Sequence, residues 1–211
     1  SWTRCHALAE QSKKSSLSKD ATEQLQWAAT QALRLSSQNG EAVLSNSESG
    51  PLSADYLAGL LEQVGDRSDV AAALDTYSKK LTKSIRQKPD KHFPETSDNC
   101  EWAGVATMRC EWEKGSPAVT IDYSSPDLRI GVASGSNQIF TGTWGWETSV
   151  EGRSLEPLCS WDEVCWFSDE DTDYLELCLE LSGDVQIDRQ ILLARDESFL
   201  LLADYVLTQS K

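Results

Sequence analysis

The chain changes character at Phe93-Pro94, and no other feature limits its folding so strongly. Residues 1 to 92 repeat apolar side chains at helical spacing, whereas residues 93 to 211 alternate them at strand spacing between Gly, Ser, Pro and Asp turns. Charge changes at the same place. The first part holds 12 Lys and Arg against 11 Asp and Glu and the second holds 7 against 23, so net charges of +1 and −16 make up the −15 of the whole. A period of 3.6 and a period of 2 cannot share one element. The expected fold is therefore α+β, with N-terminal helices over residues 1–92 and an antiparallel β-sandwich-type domain over residues 93–211.

With 211 residues, 39% of them apolar, the chain can bury an ordinary core. No run approaches the roughly 18 to 20 apolar residues that cross a bilayer, and Phe199-Leu-Leu-Leu-Ala203 stops at Asp204, so no membrane span is expected. The first residues, Ser1-Trp-Thr-Arg-Cys5, carry neither an initiator Met nor the apolar centre of a signal peptide, which reads as a processed chain or a piece of a longer product. A pI near 4.5 argues against nucleic acid as a partner, because neutralising phosphates takes clustered Lys and Arg.

The helical part has three segments. The first opens near Ser18 to Asp20, with Asp20 and Glu23 at capping-box spacing, and presents Ala21, Leu25, Ala28, Ala32 and Leu35 on one face before Asn39-Gly40. The second begins at Pro51-Leu-Ser53 and spaces Leu57, Leu60, Leu61 and Val64 at i, i+3, i+4 and i+7, closed by Gly65. The third is capped by Ser68, with Val70, Leu74, Tyr77 and Leu81 as its buried stripe. Lys79, Lys80, Lys83 and Arg86 fall late in it, where cations suit the dipole. Stripes this narrow bury little among themselves, so these helices are expected to pack against the second half of the chain or against a helical region outside it. Residues 87 to 99, with Pro89 and Pro94, read as a linker.

Strands are expected at residues 104–112, 118–123, 128–133, 138–148 and 164–167, followed by a meander over 174–181, 185–194 and 199–207. Leu175, Leu177, Leu179 and Leu181 alternate with Tyr174, Glu176, Cys178 and Glu180, so the acids read as the solvated side of a sheet that buries leucines. Asp169, Asp171, Asp173 and Glu180 match positions 1, 3, 5 and 12 of a calcium loop. Position 6 is Tyr174 instead of Gly, and the strand pattern would carry Glu180 roughly 20 Å away, so no metal site of that kind is expected.

Six cysteines, at 5, 100, 110, 159, 165 and 178, suit either disulfides or reduced packing residues; Cys100/Cys110 and Cys159/Cys165 are close enough in sequence to pair. Cys165 sits in Val164-Cys-Trp-Phe167 and Cys178 in a strand pattern, which favours packing. Of eight tryptophans, Trp144 and Trp146 would share a strand face and could stack on sugar rings, although burial is the preferred reading. Trp102 and Trp112 would fix the first strand to the helices. There is no GxSxG, HExxH, GxxxxGK[ST] or GxGxxG signature, and no cofactor is implied.

Two stretches carry a family resemblance. Residues 92–112, His-Phe-Pro-Glu-Thr-Ser-Asp-Asn-Cys-Glu-Trp-Ala-Gly-Val-Ala-Thr-Met-Arg-Cys-Glu-Trp, resemble the segment by which heparinase II/III-like polysaccharide lyases leave their helical toroid and begin the β-sandwich. Arg109 stands at the characteristic Met-Arg place. Residues 186–206, Gln-Ile-Asp-Arg-Gln-Ile-Leu-Leu-Ala-Arg-Asp-Glu-Ser-Phe-Leu-Leu-Leu-Ala-Asp-Tyr-Val, are similar to paired strands of that sandwich that end in Asp and an apolar residue. The resemblance implies that residues 1–92 end an α/α toroid and that the whole protein acts on uronic-acid glycans by β-elimination. In that reaction a group neutralises the carboxylate, a Tyr or His takes the C5 proton and an acid protonates the leaving oxygen.

The chain departs from that pattern where the chemistry lies. The family's catalytic Tyr, His and Asn belong largely to toroid helices that would precede Ser1, and its sandwich histidines have no counterpart here. Only Arg109 carries over, as a binding or structural residue. The resemblance implies an upstream helical domain of the same protein or a polysaccharide as partner, and a periplasmic or secreted setting. A half carrying −16 would repel a polyanionic uronide, so the chain is expected not to be a working lyase by itself. The alternative is a non-catalytic carbohydrate- or protein-binding sandwich module using Trp144 and Trp146.

Overall fold

The computed structural model describes residues 18–44, 54–77 and 79–208. It is an α+β protein: helices come first and antiparallel sheets follow. Two compact units divide it. One comprises Ser1–Thr96 with Trp112–Ser116 and Gly135–Asn137, and the other Ser97–Glu111, Pro117–Ser134 and Gln138–Lys211.

The helical unit contains α1 (Lys19–Arg34), α2 (Ala54–Val64), α3 (Arg67–Thr76) and a single turn, α4 (Lys79–Thr82). The cap of α1 is Ser18, whose Oγ accepts from Ala21 N at 3.2 Å; Asp20 lies inside the first turn, so the expected Asp20/Glu23 box does not form. Its fully buried residues are Ala29 and Leu33; of the expected face, Leu25 and Ala32 are half-buried against the same cluster and Ala28 is exposed. In α2 the expected Leu57, Leu60, Leu61 and Val64 are all buried; the proposed start at 51–53 lies outside the described residues.

α3 starts earlier than expected. Asp66, not Ser68, caps it, and a reciprocal bond runs from Asp66 N to Asp69 Oδ2 at 3.0 Å. The helix stops at Thr76, so the basic residues fall in α4 or beyond instead of late in one long helix; Leu74 is 40% exposed instead of buried, and the side chain of Leu81 lies outside the described residues. Tyr77 stays buried, and its hydroxyl donates to Leu33 O at 3.0 Å. The proline-bearing linker is irregular yet held to the helices through backbone carbonyls. Arg67 Nε donates to Lys88 O, Arg34 Nε to Glu95 O, and Trp112 Nε1 to Pro94 O at 2.7 Å. Trp112 is 3% exposed in the helical cluster, whereas Trp102 is 84% exposed and stands outside that cluster.

The second unit is built from two meanders. β1 (Asp98–Cys100), β2 (Val105–Arg109), β3 (Pro117–Asp122), β4 (Arg129–Ser134) and β5 (Asn137–Thr143) pair in sequence order. A small hairpin of β6 (Ser149–Val150) and β7 (Arg153–Ser154) leads to β8 (Asp162–Ser168), β9 (Thr172–Leu181), β10 (Val185–Ala194) and β11 (Phe199–Thr208), which also pair in order. Between β1 and β2, Gly104 sits at φ 63°, and a Cβ there would lie 2.7 Å from Ser124 backbone atoms, so only glycine fits.

One core joins the inner faces of both sheets. Ala106, Met108, Val119, Ile121, Ile130 and Val132 come from the first sheet, and Leu175, Leu177, Leu179, Leu181, Ile187, Ile191 and Leu193 from the second. The four β9 leucines are at most 1% exposed, each worth about 1.5 to 3 kcal/mol as an upper estimate. They secure the register, because a slip by one residue would turn all four to water.

Candidate functional site

The polar centre of the sandwich is Arg189. It lies on β10 in phase with Ile187 and Ile191, so alternation carries its side chain into the core, where it has no exposed surface. Across the β10–β11 ladder it faces Asp204. Nε donates to Oδ1 at 2.7 Å and Nη2 to Oδ2 at 2.8 Å, a two-pronged fork, while Nη1 donates to Trp144 O at 2.6 Å. The guanidinium carbon stands 3.9 Å from the centroid of the Trp144 ring and 4.7 Å from that of Trp161. Trp161 is itself held by Nε1 donating to Pro126 O at 3.0 Å, and Trp144 by its backbone N–H donating to Leu128 O at 2.8 Å. The cation thus has a carboxylate and two π faces in place of water. Asp204 reaches solvent, its side chain being 31% exposed, and Trp144 is half-buried.

A second buried charge lies on the same inner face. Asp173, with no exposure, accepts from Ser97 Oγ at 2.7 Å, Ser168 Oγ at 2.7 Å and Arg195 Nη2 at 2.6 Å. It ties the start of β1 to the ends of β8 and β9 and the turn after β10. Asp169 Oδ1 accepts from the N–H groups of Asp171 and Thr172, closing a turn. Among the described residues no three His, Cys, Asp or Glu side chains are grouped as a metal ion requires.

The acid–base groups are set for structural work. Burial and the charge of Glu163 push the Tyr123 hydroxyl up to about 12; it keeps its proton and donates to Asn99 Oδ1 at 2.8 Å. Burial and then the Glu176 carboxylate push Tyr174 up to about 12 as well. Burial also raises the Cys110 thiol, against the nucleophilic thiolate. Cys100, Cys110, Cys159, Cys165 and Cys178 are all free thiols, and Cys165 is exposed instead of packed.

Of the residues singled out from sequence, Trp144 and Trp146 are half-buried against the core, but β5 ends at Thr143, so they do not share a strand. A face of Trp144 that could have stacked on a sugar is taken by Arg189. Arg109 alternates with core-facing Met108, is 3% exposed, and its N–H donates to Ser97 Oγ at 3.0 Å. Arg189, Trp161 and Asp204 were missed as a group. The signal was available: two opposite charges stand in the apolar phase of neighbouring strands, Arg189 with Ile187 and Ile191, Asp204 with Leu202 and Val206. No family model, curated protein or solved structure matches the chain.

Proposed function

We propose that this chain is the toroid-end and β-sandwich part of a heparinase II/III-like, polysaccharide lyase-like protein of the periplasm or exterior. On this reading it serves β-elimination on uronic-acid glycans as scaffold and cleft wall, without supplying the reacting groups. The observation that carries the reading is the Arg189–Asp204 pair. Both residues belong to the stretch that resembles the family's paired strands, and a buried ion pair across β10 and β11 constrains both at once. Support for a supporting role comes from the tyrosines: pushed up to about 12, Tyr123 and Tyr174 hold their protons too firmly to take one from C5 at neutral pH.

The experiment is an elimination assay, reading the ultraviolet absorbance of the unsaturated product with uronate polysaccharides. The 211-residue chain should give no rise, and the same chain joined to the helical sequence preceding it in its gene should give one. Silence from the joined protein across uronate classes, or any elimination by the chain alone, would end the proposal.

A further inference from the structure

The edge of the second sheet leads in another direction, independent of the lyase reading. β10 pairs with β11 over ten residues in unbroken register, from Val185↔Thr208 to Ala194↔Phe199, and among the described residues no strand lies on the far side of β11. A free edge offers a row of N–H and C=O groups, which proteins commonly guard with a charge, a proline, a bulge or a very short strand. The opposite edge, β8, has a bulge between Glu163 and Cys165. β11 reads Phe-Leu-Leu-Leu-Ala-Asp-Tyr-Val-Leu-Thr, and its one charged side chain turns inward to Arg189. An inward charge can itself guard an edge, but here it is neutralised by the fork from Arg189, and the strand has neither a proline nor a bulge.

Apolar side chains remain in solvent on both faces of this strand. On the inner face Val206 is 56% exposed, although its ladder partner Ile187 is 2% exposed. On the outer face Phe199, Leu201, Tyr205 and Leu207 are all exposed. The inner layer is therefore one strand short of covering its own apolar residues.

Charge selects the occupant. By register the outer face of β8 to β11 presents Asp162, Glu176, Glu180 and Asp188; Arg189, the sole basic residue of the four strands, points inward. The side chains bonding these carboxylates are neutral. Tyr174 Oη donates to Glu176 at 2.9 Å, Gln190 Nε2 to Glu176 at 3.3 Å and Gln186 Nε2 to Asp188 at 2.6 Å. A second copy of the chain would bring the same negative face to this one, and an anionic glycan would be repelled too. A cationic strand is attracted.

We propose that β11 takes up an added β-strand from a basic protein segment. Its inward residues are apolar and cover Leu200, Leu202 and Val206; its outward residues are Lys or Arg. Their long side chains pass over small Ala203, which faces Gln190 in the ladder, toward Glu176 and Asp188. Main-chain bonds supply affinity and the alternating side chains supply selectivity, as in other strand additions.

The test titrates the full chain with a labelled ten-residue peptide alternating Val and Lys, and with its Val and Glu counterpart, while hydrogen exchange follows the β11 amides. The lysine peptide should bind, about tenfold more weakly at high than at low salt, and should slow exchange at alternate β11 amides. The glutamate peptide should not bind. Leu201→Lys should weaken the lysine peptide at least tenfold, and Asp188→Asn severalfold; should Leu201→Lys not fold, Tyr205→Lys at an exposed position gives the same reading. Equal binding of both peptides, binding that leaves β11 exchange unchanged, or a homodimer dissolved by Leu201→Lys would overturn the proposal.

Discussion

Arg189 carries a full charge without touching water, so the stability of the sandwich depends on what it meets at close range. Removing one member of such a pair strands the other in a medium that cannot solvate it. Asp204→Ala should therefore cost about 3 to 5 kcal/mol in urea unfolding, while Arg189→Met with Asp204→Leu should recover most of that loss, since a packed apolar pair avoids the desolvation penalty altogether. Equal costs for the single and double changes would refute this account. Arg189→Lys should behave like a deletion, because an ammonium cannot make the fork to Asp204 and lie flat between Trp144 and Trp161. The pair was legible as two misplaced charges in apolar phase; the indoles were not. Trp144 and Trp161 are 17 positions apart on irregular segments, and periodicity has no hold there.

The helices show a different mixture of the legible and the illegible. Spacing found the buried face of α2, where leucines stand on one side only. In α1 it found part of the face, Leu25 and Ala32, but not the fully buried Ala29 and Leu33, because Ala28, Ala29, Ala32 and Leu33 offer two apolar stripes and only the neighbouring helices choose between them. The reciprocal cap of α3 went unseen because Ser68, two residues on, is an equally suitable capping residue. Asp66→Ala should lower stability by about 1 kcal/mol, read by thermal or urea unfolding. Asp69 adds a pH dependence. Burial raises its carboxyl above the ordinary value, outweighing the bonds from Asp66 N and Thr30 Oγ. A folded value above the unfolded one favours the protonated form, so this contribution is full below the unfolded value and is lost as pH rises through the raised folded one. Asp69→Asn should flatten that decline in a series of melts between acid and neutral pH; an unchanged profile would show that Asp69 does not titrate as burial demands.

The whole chain is strongly negative, and most of the excess lies after Phe93. Screening this self-repulsion should raise the melting temperature by a few degrees between about 10 and 150 mM salt, measurable by calorimetry. A flat response would mean that the carboxylates are too well separated and hydrated to oppose folding. The composition break and the two periodicities were enough to determine an α+β chain with a leucine-cored antiparallel meander, because side-chain alternation follows directly from backbone geometry. Sequence alone placed β9 to β11 almost to the residue but overlooked β1 and the β6–β7 hairpin, which are too short to show alternation. What only the tertiary structure decided is which charges meet: Arg189 with Asp204 across a ladder, and Arg195 with Asp173, Ser97 and Ser168 from four separate places in the chain. Such contacts depend on distance in space, which the spacing of residues along a strand does not encode.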